Sequence, residues 1–111
     1  MIEKTILDFL QSELTEPVYL EKPETAPNRY ILFERTGGGR PNSLPLSTFA
    51  FQSYAESLYE AASLNERLKT TVDNLITLNE IGSVRLNSDY NFTDTTTKKY
   101  RYQAVYDIYH Y

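Results

Sequence analysis

Reactive side chains are few in this sequence, and their spacing limits the chemistry they can support. His110 is the only histidine among 111 residues, and cysteine is absent. One imidazole without thiolates does not build the usual tetrahedral zinc site, and there is no thiol nucleophile or disulfide framework. A Ser-His-Asp relay through His110 is formally possible, but no Gly-x-Ser-x-Gly turn accompanies it, so His110 reads as a half-exposed strand residue. Gly37-Gly38-Gly39-Arg40 has the glycine content of a phosphate cradle. A P-loop, however, places Gly-Lys-Ser/Thr between a strand and a helix; here Arg40 is followed by Pro41, and a second strand precedes any helix. The segment reads instead as a loop that orders against a partner. Asp89-x-Asn91-x-Thr93 has the opening spacing of a calcium loop, but Asp94 stands where glycine is required and Tyr100 where the closing glutamate belongs. Asn91-Phe92-Thr93 fits a glycosylation sequon. The opening Met1–Ile6 lacks the basic and apolar regions of a secretory signal, so the sequon is expected to go unused. No catalytic, cofactor-binding or metal-ligating residue is assigned, and no cofactor is expected.

The elements that would carry these residues follow from periodicity. Ile2, Ile6, Phe9 and Leu10 form the apolar stripe of a helix over 2–14, which Pro17 stops. A short strand is expected from Val18 to Lys22, and Pro23 and Pro27 bracket a turn. Arg29–Arg35 is a strand with apolar side chains on both faces, the pattern of a central strand or of one whose second face meets a partner. Residues 36–45 hold three of the four glycines and are expected to be a mobile loop between this strand and the next, Leu46–Gln52. Ser53-x-x-Glu56 fits a capping box for a helix to about Asn79, roughly 39 Å long. Its stripe is Leu58, Ala61, Ala62, Leu68, Val72, Leu75 and Ile76, and Gly82 is its stop signal. Val84, Leu86 and Tyr90 alternate on a fourth strand, Asn91–Lys99 is a polar loop, and Tyr100–Tyr111 is the final strand. There, Tyr100, Tyr102, Ala104, Tyr106 and Ile108 share one face, and Arg101, Gln103, Val105, Asp107 and Tyr109 the other. The sum is a single α+β domain over 1–111, a mostly antiparallel sheet with two helices packed on one face, in the order α-β-β-β-α-β-β.

Composition narrows the function classes. Fifteen acidic against eleven basic residues give a net charge of −4, without the basic excess of a general nucleic-acid binder. No apolar run is long enough to span a bilayer. Five of the ten tyrosines (Tyr100, Tyr102, Tyr106, Tyr109, Tyr111) crowd the final strand. Tyrosine there serves either a sheet face under the helices or a protein interface. Stacking on single-stranded nucleic acid is a third option, which the acidic balance opposes despite Lys98, Lys99 and Arg101.

Three stretches carry a resemblance: Tyr-Ile-Leu-Phe-Glu-Arg-Thr-Gly-Gly-Gly-Arg (30–40), Phe-Gln-Ser-Tyr-Ala-Glu-Ser (51–57) and Lys-x-Tyr-Arg-Tyr-Gln-Ala-Val-Tyr-Asp-Ile-Tyr-His (98–110). Together, over roughly residues 17–110, the chain resembles the tail terminator and neck (tail-completion) proteins of long-tailed bacteriophages. The resemblance implies a virion structural protein, made in the host bacterial cytoplasm, and not an enzyme. It implies a homo-oligomeric ring, a hexamer, that caps the tail tube and presents a surface to the head–tail connector. DNA would pass through without being read, and an acidic wall would keep phosphate from adhering. A head-to-tail ring needs two different patches per subunit. Gly37, Gly38, Gly39 and Arg40 are expected to form one, and Tyr100, Arg101, Tyr102 and Tyr106 the other, with Arg40 and Arg101 as pairing arginines. The rivals are a head-closure or neck connector of the same virion and, in a different class, a small bacterial ligand-binding or enzymatic domain.

Overall fold

The structure, a computed structural model, describes residues 1–111, the side chain of Asn42 excepted. Its elements are α1 (Ile2–Glu13), β1 (Val18–Tyr19), β2 (Tyr30–Gly39), β3 (Leu46–Ala55), α2 (Leu58–Asp73), β4 (Ile81–Asn91) and β5 (Tyr100–His110), with single 3-10 turns at Pro41–Ser43 and Asn74–Thr77. The α+β class and the element order agree with the sequence. The five strands pair in the order β1-β2-β3-β5-β4. Only the β1–β2 contact is parallel.

Alternation along the strands decides which side is buried. Ile31 and Phe33 of β2, Phe49 and Phe51 of β3, and Ala104, Tyr106 and Ile108 of β5 all point to one face and are sealed from solvent. The two helices cover that face with Ile6 and Leu10 of α1 and Leu64, Leu68 and Val72 of α2; Leu75 of the following turn joins them. Phe51 sits at the middle of the aromatic cluster. Its ring stacks on Phe33 at 5.2 Å and meets Tyr106 edge-on at 5.9 Å.

Two expectations fail for instructive reasons. The expected mobile loop over 36–45 is strand in its first four residues: β2 continues through Gly39, with Gly37, Gly38 and Gly39 paired to Thr48, Ser47 and Leu46 after a bulge at Arg35/Gly37. Glycine is used at Gly38 for close approach. A Cβ there would lie 2.7 Å from the Arg35 guanidinium and 2.8 Å from the Leu46 carbonyl oxygen. The connection itself shrinks to residues 40–45. The second helix also starts later and ends sooner. Ser53 lies in the sheet, paired with Ile31 and Tyr102. The cap is Ser57, whose Oγ accepts from the Glu60 amide at 3.1 Å. Ser57-x-x-Glu60 repeats the same motif four residues on, so the sequence carries two signals and sheet pairing claims the first. With 16 residues the helix is about 24 Å long. Leu58 and Ile76, expected on its apolar stripe, lie at or beyond its ends and are 41% and 51% exposed. The first strand is likewise cut to Val18–Tyr19.

The two serines are expected to separate in stability measurements. Ser57→Ala removes a cap and should cost about 1 kcal/mol. Ser53→Ala should change stability by less than about 0.5 kcal/mol or raise it, because among the described residues nothing hydrogen-bonds the buried Ser53 hydroxyl. Denaturant unfolding of both variants checks this. Equal losses would mean that Ser53 holds a partner.

Acid sensitivity follows from two anchored groups. Hydrogen bonds from Arg67, one of them 2.9 Å, hold the Glu16 carboxyl below its ordinary 4.5 and tie the α1–β1 connection to α2. Burial of the His110 ring holds it below its ordinary 6.5. A depressed folded-state value means stability is complete above the ordinary value and is lost as pH falls. Unfolding free energy should therefore decline from pH 6.5 downward through His110, and again below pH 4.5 through Glu16, where Glu56 beside Arg29 adds in the same direction. Glu16→Gln should flatten the lower part of that profile only; a profile unchanged by it would remove Glu16 from the account.

Candidate functional site

Among the described residues no helix covers the second face of the sheet, yet its side chains are fixed to one another. The register places Tyr30 beside Tyr54, Tyr54 beside Arg101, and Gln52 beside Gln103, with Gln103 next to Tyr90. Tyr19 meets Tyr30 edge-on at 6.0 Å, and Tyr30 stacks on Tyr54 at 4.5 Å and 9°. The Arg101 guanidinium lies 4.3 Å over the Phe92 ring, and Phe92 meets Tyr90 edge-on at 5.8 Å. Hydrogen bonds lock the row. Arg101 donates from Nη1 to the Tyr54 hydroxyl at 2.9 Å and from Nε to the Phe92 carbonyl at 2.6 Å. Tyr54 donates to Gln52 Oε1 at 3.0 Å, Gln52 to Gln103 Oε1 at 2.8 Å, and Gln103 to the Tyr90 hydroxyl. The layer thus crosses all five strands. Stacking on Tyr19 and Tyr54, with the residues preceding β2 alongside, leaves Tyr30 only 5% exposed. That burial, with the Tyr54 phenol beside it, raises the Tyr30 hydroxyl above its ordinary value.

Toward the other end of the face the layer turns polar. Asp107 accepts from Thr48 Oγ1 at 2.8 Å and from Asn87 Nδ2 at 3.0 Å. A depression of about 510 Å³ lies there between Leu46, Arg85, Asp107 and Tyr109. Side chains this constrained lose little further rotamer freedom when another surface meets them, which favours association. An aromatic and arginine-bearing surface is also the composition of interface centres.

The eight residues expected at interfaces do not come together on one surface. Gly37–Arg40 lie where β2 ends, beside Leu46 and Tyr109; Tyr100 opens β5 at the opposite end of the sheet. Arg101 is on the open face. Tyr102 points to the helix side, half-buried, in a shallow groove with Tyr59, Asn65 and Asp89. Tyr106 must be withdrawn from the interface set. It is 1% exposed, packed under α2, with its hydroxyl 3.1 Å from Asp73 Oδ1 and 3.3 Å from the Lys69 carbonyl. Burial and the Asp73 carboxylate push that phenol well above its ordinary value. Its inward direction follows from sharing a face with Ala104 and Ile108.

His110 pairs with Ser47, Oγ to Nε2 2.9 Å. Asp107 points to the opposite face of β5 and accepts from Thr48 instead. Among the described residues no group of three His, Cys, Asp or Glu side chains converges as a metal site would require. Among them, too, no helix is long and apolar enough to cross a membrane.

Sequence reasoning did not single out Tyr19, Tyr30, Gln52, Tyr54, Tyr90, Phe92 or Gln103. A signal was present: β2 carries apolar side chains on both faces, and its outward set, Tyr30 and Leu32, marks the second face. The contributions of β1, β3 and β4 need the register, which the sequence does not print. No protein-family model matches this chain, and none of the curated proteins compared with it does.

Proposed function

We propose that the chain is a structural protein of a phage tail, a terminator whose copies form a hexameric ring that caps the tail tube and meets the head–tail connector. The reading draws on the resemblance of residues 30–40, 51–57 and 98–110. The observation that carries it is the open sheet face, with its fixed aromatic and polar layer running from Tyr19 to Phe92. A neighbouring copy is the occupant that fits this layer. A head-to-tail ring joins two different patches of each subunit. The glycine-bearing end of the β2–β3 hairpin and the Tyr100–Arg101 end of the face stand at opposite ends of strands 10 residues long, about 33 Å apart. The molecule is elongated to match, 42 × 25 × 25 Å.

Genetic removal tests the reading. Virions assembled without this chain should yield tails of uncontrolled length that fail to join heads, seen by electron microscopy. Normal-length tails that lack heads would favour the neck-connector role, and normal virions would end the proposal.

A further inference from the structure

At the end of the sheet where β2 and β5 begin, a cleft of about 370 Å³ opens between the residues preceding β2 and the β4–β5 turn. Lys22 enters it from one side, Lys98 and Lys99 from the other, and Tyr30, Tyr54 and Tyr100 form its wall. The turn that presents two of the lysines is well defined. Asp94 Oδ1 accepts from the Thr96 amide at 3.0 Å, the Asp94 amide donates to the Lys99 carbonyl at 3.2 Å, and Lys98 takes a left-handed backbone with φ 54°. Lys22 and Lys99 line the same cleft, and the neighbouring Lys99 cation holds the Lys22 ammonium below its ordinary value. The acids at the cleft are Glu24 and Glu56, and Glu56 is already bound by Arg29. So a chain with four more acidic than basic residues gathers three lysines at one point.

Like charges held together repel when the cleft is empty, and an anion placed between them reverses that cost. The gain is larger for a group of charge near −2 than for a carboxylate of charge −1, and a terminal phosphate carries about −1.5 to −2 at neutral pH. A phosphodiester inside a nucleic-acid strand carries only one. We propose that this cleft binds a phosphate monoester, its phosphate between Lys22 and Lys99 and its organic part against the tyrosine wall. The monoester is either that of a small molecule or the terminal phosphate of a polynucleotide. This inference does not rest on the assembly reading.

Titration of the full chain at pH 7.5 and low salt, followed by backbone amide shifts, tests it. The probes are inorganic phosphate, adenosine 5′-monophosphate, and a short single-stranded DNA with and without a 5′-phosphate. Saturable shifts are expected at Lys22, Lys99 and Tyr100. Affinity should fall at least tenfold in the Lys22→Gln/Lys99→Gln double variant and stay unchanged in Lys4→Gln. All three lysines are exposed, and an unaltered spectrum elsewhere verifies that the variants fold. Saturation by the mononucleotide assigns the site to a small phosphate ester; saturation by the 5′-phosphorylated DNA alone assigns it to a strand end. Absence of saturation with every probe overturns the proposal. So does equal binding by the double variant, or by DNA lacking the 5′-phosphate.

Discussion

Phe51→Ala should cost the fold about 3–5 kcal/mol, the loss typical of truncating a sealed aromatic ring. Total stability for a domain of this size is about 5–15 kcal/mol, so the variant is expected to sit near its unfolding threshold at 37 °C. The size of the effect follows from position. Phe51 is completely buried and touches Phe33 of β2, Tyr106 of β5 and Phe49 of its own strand. Its surroundings are β strands pinned on both sides by β2 and β5, which cannot collapse into the space left behind. Tyr59→Ala, at a ring 78% exposed on α2, should change stability by no more than about 0.5 kcal/mol. Urea unfolding of the pair measures both. A Phe51→Ala loss below about 1 kcal/mol would mean that the ring cluster is not the centre of the core.

The second large effect concerns assembly. Ala50 lies on the open face of the central strand β3, between Glu34 of β2 and Val105 of β5, and is 3% exposed because its neighbours rise around it. Among the described residues no helix covers this face, so an arginine there is expected to extend outward from the sheet. Ala50→Arg should therefore fold with unfolding free energy within about 1.5 kcal/mol of the parent, in the lower half of the range of about 1–3 kcal/mol for overpacking a closed core. A charged side chain standing off this face would hold a second copy away and leave it desolvated if contact were forced. Ring formation and capping of the tube should drop at least tenfold, an expected ΔΔG above about 1.4 kcal/mol. Ser63→Arg, on the exposed side of α2, should assemble normally. Unimpaired assembly of Ala50→Arg would move the seam off the open face.

Local pattern fixes part of this fold, and strand pairing fixes the rest. The layer architecture was legible because strand alternation and helix periodicity are local: Ile6 and Leu10 declare a buried helix face without knowledge of partners, and parity alone groups Ile31 with Phe33 and Ala104 with Tyr106. What was not legible depends on pairing. Ser53 carries a helix-start motif, but Ile31 and Tyr102 on either side hold it in the sheet, and the equivalent motif at Ser57 takes over. Gly37–Gly39 read as a loop by composition, yet Thr48, Ser47 and Leu46 supply ladder partners, and the missing Cβ at Gly38 makes room for Arg35 and a backbone carbonyl. Tyr106 shares a strand face with Ala104 and Ile108, but parity alone leaves open whether that face meets the helices or a partner; its burial under α2 decides it. The open-face row escaped notice because its members lie far apart in sequence: Tyr19, Tyr54, Tyr90 and Arg101 become neighbours only through the order β1-β2-β3-β5-β4.

The most direct test is to add the purified chain to polymerising tail-tube protein of the same virus and to image the products while following tube length. The account predicts that growth halts soon after addition and that each arrested tube ends in a ring of this chain, with Ala50→Arg failing to do either. Tubes that lengthen at an unchanged rate while the chain stays monomeric in solution would contradict it.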